Sequence, residues 1–597
     1  MRPHVFARAW FAVVVALWLA GPAHAADPNA IVEGEADKAL RAEIVDAVGE
    51  ARRPPQSRLE ARARARRAAE DATALLRSEG YYLGEVTPSV GQGAAPRALI
   101  RVAPGPRFVF TPTQIVWSGP APGAAAISAA AAAGALRAGA PGRAADVLAA
   151  EAGAVSALRK LGYADAQALP RRVIVDDQAH TVSPTLVIAA GSPVRLGAVQ
   201  THTNGRTRAA FVQALAPWKV GDAYDPAKLA ELERRLTSTG AFDSVIADLG
   251  PVGHDANQPR PVIVTLVERP PHSVELGGGY SSSEGSGVEG KYAIYNRLGR
   301  ADSVTVTARL FDIQQKLDLE LDLPAFGRAD QTSRTGADLL ADNTKAYVDS
   351  GGGLRESLER RFSETSFVSA GVALDYASTS QKEAINAQGT PVGERLKLLI
   401  ASVPANLVLD RSNDPLDPTR GWRLQATLEP AVITGDRRLA YVKTETQISG
   451  YLPLDRGEAT VVAARLRVGD LWGGRIPDVP ADRRFFAGGG GSVRGYAYQD
   501  VGPRLADNTP EGGLSLVETS LEIRRRLNDR FGLVGFVDAG NVGMKATPTF
   551  QGLETGAGLG LRYNLGFAPL RVDVATPLNP RRGDGPIQVY LSIGQSF

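Results

Sequence analysis

The chain has 597 residues, with 67 basic and 64 acidic side chains, 44% hydrophobic residues, 64 glycines, 39 prolines and no cysteine. Disulfides, thiolate metal sites and a cysteine nucleophile are therefore excluded, and the near balance of charge gives no case for a nucleic-acid partner. The composition is neither that of a disordered chain nor that of a helical membrane protein, and the length suggests several domains.

The N-terminus reads as an export signal over residues 1–25. Arg2 and Arg8 supply the positive region, Ala9 to Ala20 the apolar run and Ala23-His24-Ala25 the cleavage site. The rival reading, a membrane anchor, needs an apolar run of about 20 residues. Farther on, Ala124 to Ala133 is bracketed by Gly123 and Gly134 and reads as a soluble helix. Any membrane insertion after residue 26 must then use strands.

Up to about residue 270 a pattern recurs three times: a helix with leucines on one side runs into a glycine, then an aromatic, then a strand. The three copies are Leu75 to Gly80-Tyr81-Tyr82, Leu158 to Gly162-Tyr163 and Leu236 to Gly240-Ala-Phe242. Such a glycine ends a helix in a left-handed cap. Leu40, Ile44 and Val48 share one helix face, as do Leu229, Leu232 and Leu236. Each unit reads strand, helix, helix, strand, strand. The densest basic run, Arg62 to Arg67, reads as a solvated helix face.

From Glu268-Arg-Pro-Pro271 onward, alternating strands replace helical periodicity. Leu317-Asp-Leu-Glu-Leu-Asp-Leu323 places four leucines on one face and Asp318, Glu320 and Asp322 on the other. The last strand, from Ile587 to Phe597, sets Ile587, Val589, Leu591, Ile593 and Phe597 against Gln588, Tyr590 and Ser592. In isolation it fits a sandwich strand or a transmembrane barrel wall; with an export signal at the other end of the chain, a barrel of about sixteen antiparallel strands is expected.

Sites of other chemistry are weakly represented. Asp410, Asp414 and Asp417 admit a calcium loop, but prolines and Gly421 among them favour a tight turn. The glycine run Gly488 to Gly491 would serve a phosphate cradle only with a helix and a Lys-Ser/Thr pair behind it, which are missing. No histidine has a nearby second ligand and no serine sits in a nucleophile elbow. No catalytic residue, metal or cofactor is expected.

The run Arg484-Phe-Phe-Ala-Gly-Gly-Gly-Gly-Ser492-Val-Arg494-Gly495-Tyr496 is very similar to the signature loop of the BamA/TamA superfamily of outer-membrane insertases and two-partner secretion pores. Asp410 to Gly421, Phe536-Val-Asp538-Ala-Gly-Asn541, Gly556-Ala-Gly-Leu-Gly560-Leu-Arg562, Pro569-Leu-Arg571-Val-Asp573 and the terminal Phe597 follow the same family pattern. The N-terminal units resemble POTRA domains, with boundaries at 26–106, 107–192 and 193–271, and the barrel occupies 272–597. Three tandem helix-and-sheet domains with no shared role are the alternative for the first half.

The resemblance implies an α+β periplasmic region followed by an all-β barrel in the bacterial outer membrane. It implies that the Arg494-Gly495-Tyr496 tip folds back into the lumen, where Glu522 and Asp538 pair with Arg494. Gly277, Gly278 and Gly279 in the first barrel strand and Phe597 in the last would form a weak lateral seam. Three N-terminal domains point to the translocation and assembly module branch. That branch implies a TamB-like inner-membrane-anchored partner, unfolded outer-membrane protein clients and the lipid bilayer. Two functions stay open: a non-enzymatic insertase, and a pore that secretes a polypeptide through the lumen.

Overall fold

Three α+β modules precede the barrel in the computed structural model, which describes residues 28–51, 53–92, 95–252, 258–282, 284–363, 365–382, 393–566 and 569–593. The export signal and Phe597 lie outside the described residues. In each module two helices precede the last two strands, and the last strand takes the centre of the sheet, antiparallel to the one before it and, in the first two modules, parallel to the strand ahead of the helices. The first module pairs Ala98–Ala103 with Ile31–Gly34 and Glu85–Val90; the second pairs Thr181–Ala189 with Gln114–Trp117 and Gln167–Asp176. The third orders Leu196–Thr203, Arg260–Glu268 and Phe242–Leu249 in the same way.

The recurring glycine ends a helix in every module. Gly80, Gly162 and Gly240 have φ of 93°, 99° and 74°, a region that L side chains avoid. Behind the first two caps, the Tyr81 and Tyr163 amides donate back to the Leu76 and Leu158 carbonyls at 2.8 and 3.1 Å. The leucine stripes face inward: Leu40, Ile44, Val48, Leu76, Leu158, Leu232 and Leu236 are all buried. Ala124–Ala133 is a ten-residue helix of the second module.

From His272 to Ile593 the strands close into an antiparallel barrel. Its wall has sixteen strands, because Arg395–Ser402 and Ala405–Asp410 are two halves of one strand broken at Val403-Pro404, where proline has no N–H to give the ladder. Leu317, Leu319, Leu339, Leu354 and Leu374 face outward, while Asp318, Glu320 and Asp338 face the lumen and meet Arg355 at 2.8, 3.3 and 3.1 Å. Exposed Phe326, Phe362, Trp422 and Phe531 mark the end from which the first strand rises, and Tyr280, Tyr376 and Trp472 lie toward the other end. An apolar band between aromatic rings suits a lipid bilayer. Asp410, Asp414 and Asp417 lie around a turn at the first-strand end. There Asp410 accepts from Ser412 and Arg423, and Asp414 from the amides of Leu416 and Asp417.

The chain divides into two compact units: the first holds the first two modules, and the second holds the barrel with most of the third module. Within the second unit a polar clasp fastens the third module to the barrel. The Glu268 carboxylate accepts from the Thr207 amide and hydroxyl at 2.7 and 2.5 Å, and Asn296, in a barrel turn, donates to the Thr207 hydroxyl at 2.8 Å. The Arg208 amide donates to the Gly299 carbonyl in the same turn at 2.9 Å. Partial burial raises the Glu268 pKa, but the hydrogen bonds from Thr207 outweigh it and hold the carboxyl below its ordinary value. A depressed pKa makes the clasp fully effective above the usual carboxylate range and weakens it as pH falls below about 4. Limited proteolysis around residues 268–272 should therefore quicken below that pH in the wild-type protein, whereas Glu268→Gln should be equally susceptible at neutral pH and in acid.

Candidate functional site

A long loop between Gly473 and Leu514 leaves the wall at the end remote from the third module and fills the lumen. Its apolar side chains make it a plug: Ile476, Val479, Phe485, Val493, Tyr496 and Val501 pack in one cluster with wall residues Leu398, Ile400, Ile433, Tyr441 and Leu471. Its neck is fixed by Arg484, whose guanidinium donates to the carbonyls of Ile476, Val479 and Glu511, each at 2.9 Å. Of the four glycines, Gly488 and Gly489 take positive φ, while Gly490 and Gly491 do not. The chain reversal needs only the first pair. The carbonyls of the others are held from the wall: Arg571 donates to Gly490 at 2.8 Å, and Arg465 to Gly491 and Ser492 at 2.9 and 3.0 Å.

Arg494 is the centre of the site and is 1% exposed. Its Nε and Nη2 donate to the two Asp538 oxygens at 2.6 and 2.9 Å, a bidentate fork. Nη2 also meets Glu522 at 2.7 Å and Nη1 meets Asp573 at 3.0 Å. The guanidinium carbon lies 3.4 Å from the centre of the Phe536 ring, adding a cation–π contact. The carboxylates are themselves saturated. Ser520 donates to Asp538 at 2.5 Å, Arg524 to Glu522 at 2.8 Å, and Arg562 and Arg571 to Asp573 at 2.5 and 2.7 Å. Gly495 follows with φ of 102°, and a Cβ there would lie 2.8 Å from the Thr576 backbone. Tyr496 sends its hydroxyl to the Asn579 side chain at 2.7 Å.

The structure thus brings Arg494, Glu522 and Asp538 together, with Gly495 and Tyr496 against the neighbouring strands. Sequence reasoning missed Asp573 as a third acid; its alternation within Pro569–Pro577 places it on the lumen face. It also missed Tyr590, whose hydroxyl lies 3.3 Å from the Gly495 amide and 3.1 Å from the Tyr496 carbonyl.

Among the described residues the seam glycines make no ladder pair with the last strand. Gly277, Gly278 and Gly279 pair fully with Glu289, Val288 and Gly287 of the second strand. Between first and last strands, His272–Ser281 and Gln588–Ile593, the ladder among the described residues has two pairs, Tyr280 with Leu591 and Ser281 with Tyr590. By contrast, the neighbouring pair of strands, Pro569–Pro577 with Gln588–Ile593, makes six. Ser592 and Ile593 run on past Leu591 without a ladder partner on that side. Behind this short seam lies a cavity of about 670 Å³, lined in part by Gly277, Glu289, Arg309, Gly490, Arg571 and Tyr590.

Removing the guanidinium from this cluster leaves buried carboxylates short of a partner, a loss of about 3–5 kcal/mol for a buried ion pair broken on one side. Arg494→Ala should free the loop tip, and Arg494→Lys should do nearly the same, since an ammonium cannot reproduce the fork. Cleavage of the 473–514 loop by protease added outside intact cells measures this. Both variants should be cut faster than wild type while keeping the mobility of a folded barrel on unheated gels; wild-type protection of the lysine variant would contradict the bidentate pairing.

The Omp85 superfamily domain matches residues 296–597, just over half of the chain. The outer membrane protein assembly factor BamA of Neorickettsia risticii is 22% identical over 457 residues, covering 74% of this chain and 60% of that protein. The sorting and assembly machinery component 50 homolog of Bos taurus is 30% identical over 213 residues, 31% of this chain and 43% of that protein. This chain spans 47–60% of the length of the BamA proteins it matches. In fold it resembles the crystal structure of BamA from Haemophilus ducreyi lacking POTRA domains 1–3, with a TM-score of 0.67 at 19% identity, covering 81% of this chain and all of that one. The chain belongs to the Omp85 superfamily, and it is an outer-membrane β-barrel whose N-terminal region lies in the periplasm.

Proposed function

We propose that this protein is a non-enzymatic outer-membrane insertase that receives unfolded barrel proteins from the periplasm and passes them into the bilayer through its seam. The observation that carries the reading is the two-pair ladder between the described residues of the first and last strands. Among the described residues every other joint in the wall has more ladder pairs, so a lateral opening costs least there. A first strand parted from the last presents unpaired amides and carbonyls, a template for an incoming strand. The names of its relatives, assembly factors of outer membrane proteins, agree with this role.

Within that class we assign it to the TamA type, the outer-membrane subunit of the translocation and assembly module, with autotransporters among its clients and a TamB-like protein anchored in the inner membrane as partner. Three strand-helix-helix-strand-strand modules ahead of the barrel support this choice, as POTRA domains over 26–106, 107–192 and 193–271. The alternative, a secretion pore through the lumen, requires the apolar plug of Ile476, Phe485, Val493 and Tyr496 to leave its cluster with the wall. That cost favours the seam over the lumen.

The absence of native cysteine allows a clean test. Tyr280 and Leu591 are register partners, so Tyr280→Cys with Leu591→Cys should form a disulfide across the closed seam, within the about 7 Å that such a bond spans between Cα atoms. Locked protein should lose client assembly and regain it with reductant. Full activity of the locked barrel would overturn the insertase reading and favour the lumen.

A further inference from the structure

Tyr590 sits where the seam and the loop meet. It is 2% exposed on the lumen face of the last strand, and it pairs across the seam with Ser281. On its other side it pairs with Asp573, the third acid around Arg494. Its hydroxyl accepts from the Gly495 amide and donates to the Tyr496 carbonyl, so two consecutive residues of the Arg-Gly-Tyr tip are bonded to the strand that closes the barrel. Its ring lies against Gly490, where a Cβ would come within 2.8 Å of it. A phenol is suited to this place: one oxygen both accepts and donates, and an aromatic ring fills the space that glycine leaves.

We propose that Tyr590 is a latch through which the Arg494 loop holds the seam shut. Arg494 binds the tip to the strands carrying Glu522, Asp538 and Asp573, and Tyr590 extends that hold by one strand to the edge itself. When the last strand swings away from Ser281, it must either break both hydrogen bonds or pull the tip with it. The seam and the signature loop are therefore one mechanical unit. The consequence for clients rests on the insertase reading: an entering strand must release the latch.

The test uses the full-length protein with Ser281→Cys as its single thiol. Residue 281 is 6% exposed in the closed barrel, so its alkylation reports seam opening. Tyr590→Phe keeps the ring and removes both hydrogen bonds. Alkylation should rise about fivefold or more over the Ser281→Cys parent, the shift expected when two buried hydrogen bonds are lost. Gly490→Ala, which leaves the hydroxyl in place and crowds the ring from the loop side, should also raise it. Together the two should be less than additive, because they act on one contact. A general packing defect would add rather than saturate. Unchanged alkylation in both single variants, each with folded-barrel gel mobility, overturns the latch. Faster alkylation with unchanged client assembly leaves the latch standing and counts against the insertase reading instead.

Discussion

The structure depends on a single buried cation. Arg494 lies out of bulk water inside the barrel, and a guanidinium there is tolerable only because Asp538, Glu522 and Asp573 come to it from three strands. Each acid has its own further donors, so no charge in the cluster is left to a single partner. Buried ion pairs are seldom a source of net stability against a well-packed apolar alternative, yet they penalise any displacement heavily. This cluster is accordingly a device for position. It fixes where the loop tip stands relative to four consecutive strands, from Ser515–Arg526 to Pro569–Pro577, the last of them next to the seam strand Gln588–Ile593.

Around that point the wall combines two opposing demands. Lipid tolerates no unpaired backbone, so the cylinder must close. Insertion of another barrel through the wall needs a place where closure is cheap. The short ladder that the described residues make at Tyr280 and Ser281, extended by the Ser282 amide donating to the Val589 carbonyl, meets both demands when contacts besides backbone pairing help keep the edge in place. The lumenal loop supplies them through side chains and carbonyls: Arg571 and Arg465 on the glycine run, Tyr590 on the tip. At the opposite end of the same body, the Glu268, Thr207 and Asn296 clasp ties the third module to the turn after the second strand. The last strand is thus restrained from the lumen, and the hairpin of the first two strands from the periplasm.

Much of this was legible in the chain. Leucine alternation at 317–323 gives a lipid face and a charged lumen face, because side-chain period 2 has no other solution in a closed wall. The glycines at 80, 162 and 240 announce helix ends, since each needs a backbone conformation that only glycine adopts freely. Arg494 with Glu522 and Asp538 came from the loop motif. What was not legible depends on long-range register. Asp573 stands beside Tyr590, and Tyr590 beside Ser281, through cross-strand pairings set by hairpin connections that carry no periodic signal. The path of the 473–514 loop, which decides what Tyr590 touches, has no repeating pattern either. The break at Val403-Pro404 was likewise invisible, because a proline among strand residues marks either a bulge or an edge.

The Arg494 cluster, more than backbone pairing at the seam, holds the closing strands of the barrel. Amide hydrogen exchange, comparing Arg494→Ala with wild type in lipid nanodiscs, tests this hold most directly. Exchange should be faster in Pro569–Pro577 and Gln588–Ile593, with little change in Tyr347–Arg361 and Phe367–Gln381, which lie across the barrel from the seam. Equal protection of the closing strands in both proteins would contradict it.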